Sequence, residues 1–158
     1  MERFNHQEAD YVDLERGRSG IQITTVNEAV GLGVVSTHAH ARGSVVETFK
    51  GLVSPFIEQH SLQVTPHQHI VDREFIGYLS HSCNPNCVLD MQRLRLLAVR
   101  DIPADELLTI DYAVTEDELY KQFPCRCGAP NCRLWVTGRS EPVNLEGRRY
   151  LKRRVEAA

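Results

Sequence analysis

The chain predicts a mainly β fold with short helices, and three observations carry that expectation. Short runs of alternating or β-branched apolar residues recur between turn-forming residues. No stretch alternates strands with long amphipathic helices, so the usual dinucleotide-binding folds lack support. One central loop, Gly77 to Cys87 (GYLSHSCNPNC), is too dense in polar and turn-forming groups to lie inside a strand or helix.

The elements follow in order. Residues 1–20 are polar, with no sustained period, and read as an extended lead-in. Ile21 to Val26 alternates as a half-buried strand does, with Val34-Val35 and Val45-Val46 as the next two strands. Between them lie Gly31-Leu32-Gly33 and the turn Ala41-Arg42-Gly43. A paired glycine is a weak signal alone, but between strands it lets a ligand approach the backbone closely.

Leu52 to Gln59 reads as one helical or irregular turn around Pro55. Ser61 to Val64 and His69 to Val71 read as strands flanking Thr65-Pro66-His67-Gln68. After the central loop come strands at Val88 to Asp90 and Leu94 to Val99, a turn at Asp101 to Glu106, and a strand at Leu107 to Ile110. A short helix over Glu116 to Gln122 precedes the cysteines. In the tail, Val143, Leu145, Tyr150, Leu151 and Val155 line one face of a helix, with bases opposite.

Composition bounds the function classes. With 158 residues, 42% apolar and 25% charged, the chain fits one domain with a real core. It has no apolar run long enough to span a membrane, and its first residues lack the apolar centre of a signal peptide. The expected setting is therefore a reducing compartment, cytoplasmic, or nuclear in a eukaryote, with no membrane partner. A net charge of -3 gives no general case for direct nucleic-acid binding. Charge is nonetheless uneven: residues 101–118 carry seven acids and no base, and residues 138–158 carry six bases against three acids. Both runs read as solvated surface.

Five cysteines without an export signal argue against a disulfide framework. Cys125, Cys127 and Cys132 stand in C-x-C-x4-C spacing, suited to wrapping thiolates around one ion. Three thiolates leave a tetrahedral structural zinc one ligand short, and Cys83 or Cys87 of the central loop can complete it.

Four motifs in order give these features a common source. Gly31-Leu32-Gly33, the run Ser80-His81-Ser82-Cys83-Asn84-Pro85-Asn86, the run Asp105-Glu106-Leu107-Leu108-Thr109-Ile110-Asp111-Tyr112 and the cysteine cluster resemble, respectively, the G-x-G, N-H-S-C-x-P-N, G-E-E-L-x-F-D-Y and C-x-C-x4-C of SET-domain protein-lysine methyltransferases with a post-SET zinc-binding segment. The resemblance covers about residues 21–133. It implies several small β-sheets, a C-terminal segment threaded under a loop and a zinc-stapled post-SET region. The division it suggests is a SET domain over 21–113, a zinc segment over 114–137 and a basic, helical extension over 138–158.

The resemblance also implies roles. S-adenosylmethionine would be the co-substrate, held by Gly31, Leu32, Gly33, Tyr78, Ser80 and His81, with Trp135 either over its adenine ring or simply packed in the fold. Tyr112 would stand at the methyl-transfer centre. Structural zinc would be held by Cys83, Cys125, Cys127 and Cys132, leaving Cys87 a spare thiol. The acceptor would be a lysine of a protein or peptide, a histone-like one among the candidates. A small-molecule amine as acceptor, or an inactive cofactor- or protein-binding module, stand as alternatives. The sequence departs from the family pattern at Ser80, where the family has asparagine, at Gly77, where many members have arginine, and at Asp105, in place of a turn glycine. Ile110, in place of an aromatic residue, has no hydroxyl with which to stop the reaction at one methyl group.

Overall fold

The computed structural model describes residues 20–72 and 74–158, so the predicted lead-in, apart from Gly20, lies outside the described residues. Among the described residues the chain folds into five small sheets rather than one large one. Strands β1 (Ile21–Asn27) and β2 (Gly31–Ser36) form an antiparallel hairpin. β3 (Val45–Thr48) pairs antiparallel with β9 (Arg95–Ala98), which pairs with β8 (Cys87–Asp90). In the third sheet β6 (Gln68–Val71) lies between β4 (Leu52–Ser54) and β5 (Ser61–Thr65).

Two further pairs build the functional region. β7 (Ser80–His81) pairs with β10 (Thr109–Ile110) in parallel, and β11 (Phe123–Pro124) pairs with β12 (Trp135–Val136) antiparallel. Helix α1 spans Tyr112–Thr115 and α2 spans Leu145–Glu156.

The core forms where apolar residues of separate sheets meet. Val34, Phe75, Ile76, Leu79, Leu96, Ile102, Leu108 and Ile110 are essentially fully buried and belong to one cluster. Each such side chain contributes about 1.5–3 kcal/mol through removal from water. Buried Asp72 receives the backbone N–H groups of Glu74, Phe75 and Ile76 at 2.8–3.3 Å, which fixes the entry to the 3-10 turn Ile76–Tyr78 ahead of the central loop.

The central loop and the run 106–112 are joined around Asn86, which is 1% exposed. Its side-chain amide donates to Leu107 O at 2.8 Å and to Glu106 Oε1 at 3.1 Å, while Ser82 N donates to Ile110 O at 3.0 Å. The run 106–112 is therefore held against the central loop by side chains as well as by the β7–β10 pairing. Asp105 takes φ +66°, in the left-handed region that an aspartate visits more readily than most residues.

Two local expectations change. Leu52 to Ser54 is a strand, because its backbone pairs with His69 to Val71. The helix expected over Glu116 to Gln122 does not form, and the helical turn lies earlier, at α1. Asp111 supplies its N-cap by accepting from Ala113 N at 3.0 Å. Beyond it the chain is pinned to β5: Gln63 N donates to Glu116, Gln63 Nε2 donates to Asp117 Oδ2 at 2.7 Å, and Asp117 N donates back to Gln63 Oε1 at 2.7 Å.

Candidate functional site

Local backbone freedom starts the site. Gly31 takes φ +79°, so the turn from β1 into β2 uses the left-handed region that glycine enters without strain. Gly33 is close-packed instead: a Cβ there would come within 2.6 Å of Val26, 2.7 Å of Leu107 and 3.0 Å of Ser80 Oγ. The structure thus brings Gly33 and Ser80 together. The Ser80 hydroxyl is buried and, among the described residues, has no hydrogen-bond partner, a costly condition that a ligand's polar group would relieve. Leu32 is half exposed beside them.

His81, next in β7, links this edge to Tyr112. The Tyr112 N–H donates to His81 Nδ1 at 3.1 Å, which leaves the other ring nitrogen as the donor facing Cys83 Sγ at 3.4 Å. Burial, opposed by the nearby Asp111 carboxylate, lowers the imidazole pKa to about 4, so the ring is neutral at physiological pH. Asp111 is instead paired with Arg133 at 2.6 Å.

The Tyr112 ring is fixed by edge contacts with His81 and Phe123, with centroids 5.3 and 5.8 Å away. Its hydroxyl donates to the carbonyl of Leu79. Burial holds the phenol above its usual pKa range, so it stays protonated and acts as a donor. Ile110, two residues earlier, is 1% exposed and packs in the main core.

The four thiols Cys83, Cys125, Cys127 and Cys132 converge, with all sulfur atoms within 4.8 Å of one another. Cys83 Sγ and Cys125 Sγ are 3.8 Å apart. Four thiolates around a tetrahedral zinc, at about 2.3 Å each, would stand about 3.8 Å apart, so the donor set fits the ion. Asn131 Nδ2 donates to Cys83 O at 2.9 Å, and Arg133 N approaches Cys83 Sγ at 3.4 Å, tying the cysteine segment to the central loop. Cys87 lies apart in the main core, where burial pushes its thiol up to about 12.

Tyr78 lies tilted against His60 with centroids 4.5 Å apart, and His60 Nδ1 lies 3.0 Å from Gly77 O. A Cβ at Gly77 would collide with Asp72 O and come within 2.7 Å of His60 O, so no arginine fits there without movement.

Trp135 takes the packed one of its two expected placements. It is 4% exposed, with Nε1 donating to Gln122 Oε1 at 2.9 Å, Tyr150 tilted against it at 5.5 Å, and Gly147 of α2 so close that any Cβ would strike the indole. The indole is thus buried beneath Gly147 and Tyr150 of α2.

Sequence reasoning missed Glu116, which it placed in a solvated acidic run. The residue is 6% exposed and lines a cavity of about 260 Å³ together with Tyr112, Leu62, Phe123, Ser61 and Glu58. An acid between Thr115 and Asp117 gives no sequence signal of burial, because the strand that covers it, β5, comes from fifty residues earlier.

A sequence model of the SET domain matches residues 31–113. The chain is 47% identical over 78 residues to the histone-lysine N-methyltransferase trr of Drosophila melanogaster, covering 42% of this chain and 3% of that protein. It is 35% identical over 79 residues to the human histone-lysine N-methyltransferase 2D, covering 44% of this chain and 1% of that protein. The chain thus spans only a few hundredths of these relatives' length. Among solved structures, KRYPTONITE in complex with mCHG DNA and SAH aligns with a TM-score of 0.59 and 28% identity, covering 73% of this chain and 28% of that one. The methyltransferase domain of human histone-lysine N-methyltransferase SETMAR shares the fold, with a TM-score of 0.58 at 20% identity, covering 79% and 61% of the two chains.

Proposed function

Because this chain belongs to the SET-domain family, we propose that it transfers a methyl group from S-adenosylmethionine to the side-chain amine of a lysine in a protein or peptide. The observation that carries the reading is the β7–β10 pairing. It holds the orphaned Ser80 hydroxyl, against Gly33, on the strand whose next residue, His81, hydrogen-bonds the backbone of Tyr112. Supporting it, relatives of this chain are named histone-lysine N-methyltransferases, and KRYPTONITE has been solved with an H3(1-15) peptide and SAH.

When bound, the co-substrate supplies an electrophilic methyl group on a positively charged sulfur. Gly31 and Gly33 would hold it through the backbone, and Ser80 would offer the hydroxyl that now lacks a partner. His81 keeps Tyr112 in place, and the protonated phenol lies beside the reacting centre, so rate comes from orientation in a closed, partly apolar setting. Zinc, held by Cys83, Cys125, Cys127 and Cys132, would have a structural role, keeping the β11–β12 segment on the central loop.

The test is incubation of the full chain with isotopically labelled S-adenosylmethionine and a mixture of lysine-rich peptides, beside a panel of small amines. Label in peptide lysines supports the proposal. Label confined to small amines, or none anywhere, overturns it.

A further inference from the structure

Glu116 buries a carboxylate with few partners. Both of its oxygens accept from a single donor, the Gln63 N–H, at 3.1 and 3.0 Å. A carboxylate has about four acceptor sites, so most of this group's hydrogen-bonding capacity is unmet. Among the described residues no cation lies within ion-pair distance of it. Arg139, the nearest candidate, is engaged elsewhere, pairing with Asp117 at 2.6 Å and donating to Val114 O at 2.7 Å. Such a group is costly to bury unless something charged or donating completes it.

What could complete it must come through the cavity that Glu116 lines. Leu62 and Phe123 give that cavity apolar walls, and Tyr112 is also part of its lining. Its other charged groups are Glu58, from the segment after β4, with Glu118 and Lys121; Asp117, paired with Arg139, adjoins Glu116 in the chain. The balance around the carboxylate is acidic. Apolar walls with a buried carboxylate fit a primary alkylammonium, whose stem is greasy and whose head is charged and rich in donors.

We propose that Glu116 is a catalytic residue of this chain, receiving the acceptor's ammonium in this cavity and taking one proton from it before methyl transfer. This inference rests on the methyltransferase reading above and gives the reaction a proton acceptor. The ammonium gives one proton to a Glu116 oxygen and becomes a neutral amine. The amine lone pair then forms the new N–C bond while the methyl carbon's bond to sulfur breaks and its electron pair stays on sulfur. The product is a protonated secondary amine, and Glu116 releases its proton to solvent. Burial, only partly offset by the Gln63 N–H and by Arg139, pushes the Glu116 carboxyl up to about 7. A base poised there is half ionised near neutral pH, where general-base catalysis is most effective.

The test compares wild type with Glu116→Gln, which keeps an acceptor oxygen for Gln63 N–H but cannot take a proton. With a lysine peptide, kcat/KM should fall about 100-fold near neutral pH. The deficit should narrow as pH rises toward about 10, where solvent supplies the neutral amine. A variant as active as wild type with a parallel pH profile overturns the inference while leaving the methyltransferase reading intact. A second measurement needs neither the variant nor turnover: the carboxyl carbon-13 signal of Glu116 in wild type is titrated with and without butylamine. Its midpoint should move to lower pH when butylammonium is present, and an unmoved midpoint overturns the inference. Absence of methyl transfer from wild type to any amine would sink the functional reading instead.

Discussion

Asn86 and Thr109 grip each other through backbone and side chain: Asn86 N donates to Thr109 Oγ1 at 3.1 Å, and Thr109 N donates to Asn86 Oδ1 at 2.8 Å. The two residues belong to the central loop and to β10, so this grip fastens the run leading to Tyr112 beneath the loop carrying Cys83. Asn86→Ala strands the Thr109 N–H and Leu107 carbonyl in the core. It is expected to destabilise the fold by about 3 kcal/mol, read as a lower denaturant midpoint with an unchanged slope. A loss under about 0.5 kcal/mol would mean that other contacts hold the crossing.

The thiol cluster should bind one zinc per chain. Metal analysis of purified protein checks the stoichiometry, and Cys125→Ser with Cys127→Ser should abolish it. Chelation should lower the melting temperature, because closure of the β11–β12 segment on the loop is coupled to metal binding. Full metal retention in the double variant would reject the ligand set.

Tyr112→Phe removes the hydroxyl that donates to Leu79 O while keeping the ring contacts with His81 and Phe123. Methyl transfer should drop at least about 100-fold, with co-substrate affinity changed by no more than about threefold, the pattern of a group acting in the transition state. Parallel loss of binding and activity by calorimetry and turnover would count against that role.

Glu116 also makes stability depend on pH, with a definite sign. Its folded pKa of about 7 lies above the ordinary 4.5, so the folded state binds a proton more tightly than the unfolded chain does. The contribution is most favourable below pH 4.5, is lost as pH rises toward 7 and then levels off, a change on the order of 3 kcal/mol. Denaturation of wild type and Glu116→Gln between pH 5 and 8 checks it. The falling component should be missing from the variant.

Much of this architecture is legible in the chain because it depends on local chemistry. Ile21 to Val26 announces a strand by alternation, and Val34-Val35 announces one by its β-branched apolar pair. The thiol convergence could be anticipated from spacing together with the motif loop. What could not be read depends on distant partners. Leu52 to Ser54 becomes a strand only because β6 is there to pair with it. The segment after α1 forgoes a helix because Gln63 captures Glu116 and Asp117. Leu145 and Val155, expected along one apolar face of the last helix, are 54% and 77% exposed, since that helix packs through Gly147 and Tyr150 onto Trp135.

That last contact supplies an optical readout. Trp135 is the sole tryptophan of the chain, and its indole is sealed between the Gln122 amide and the underside of α2. Gln122 also accepts from Asn144 N at 3.0 Å and donates to Pro142 O at 2.9 Å, so one amide clasps both the indole and the start of the helix. Lifting α2 would wet the ring, shifting its emission to longer wavelength and opening it to collisional quenchers. Intrinsic fluorescence therefore follows undocking of the C-terminal segment in the unlabelled protein. Following the emission during metal chelation would time that undocking against loss of the ion.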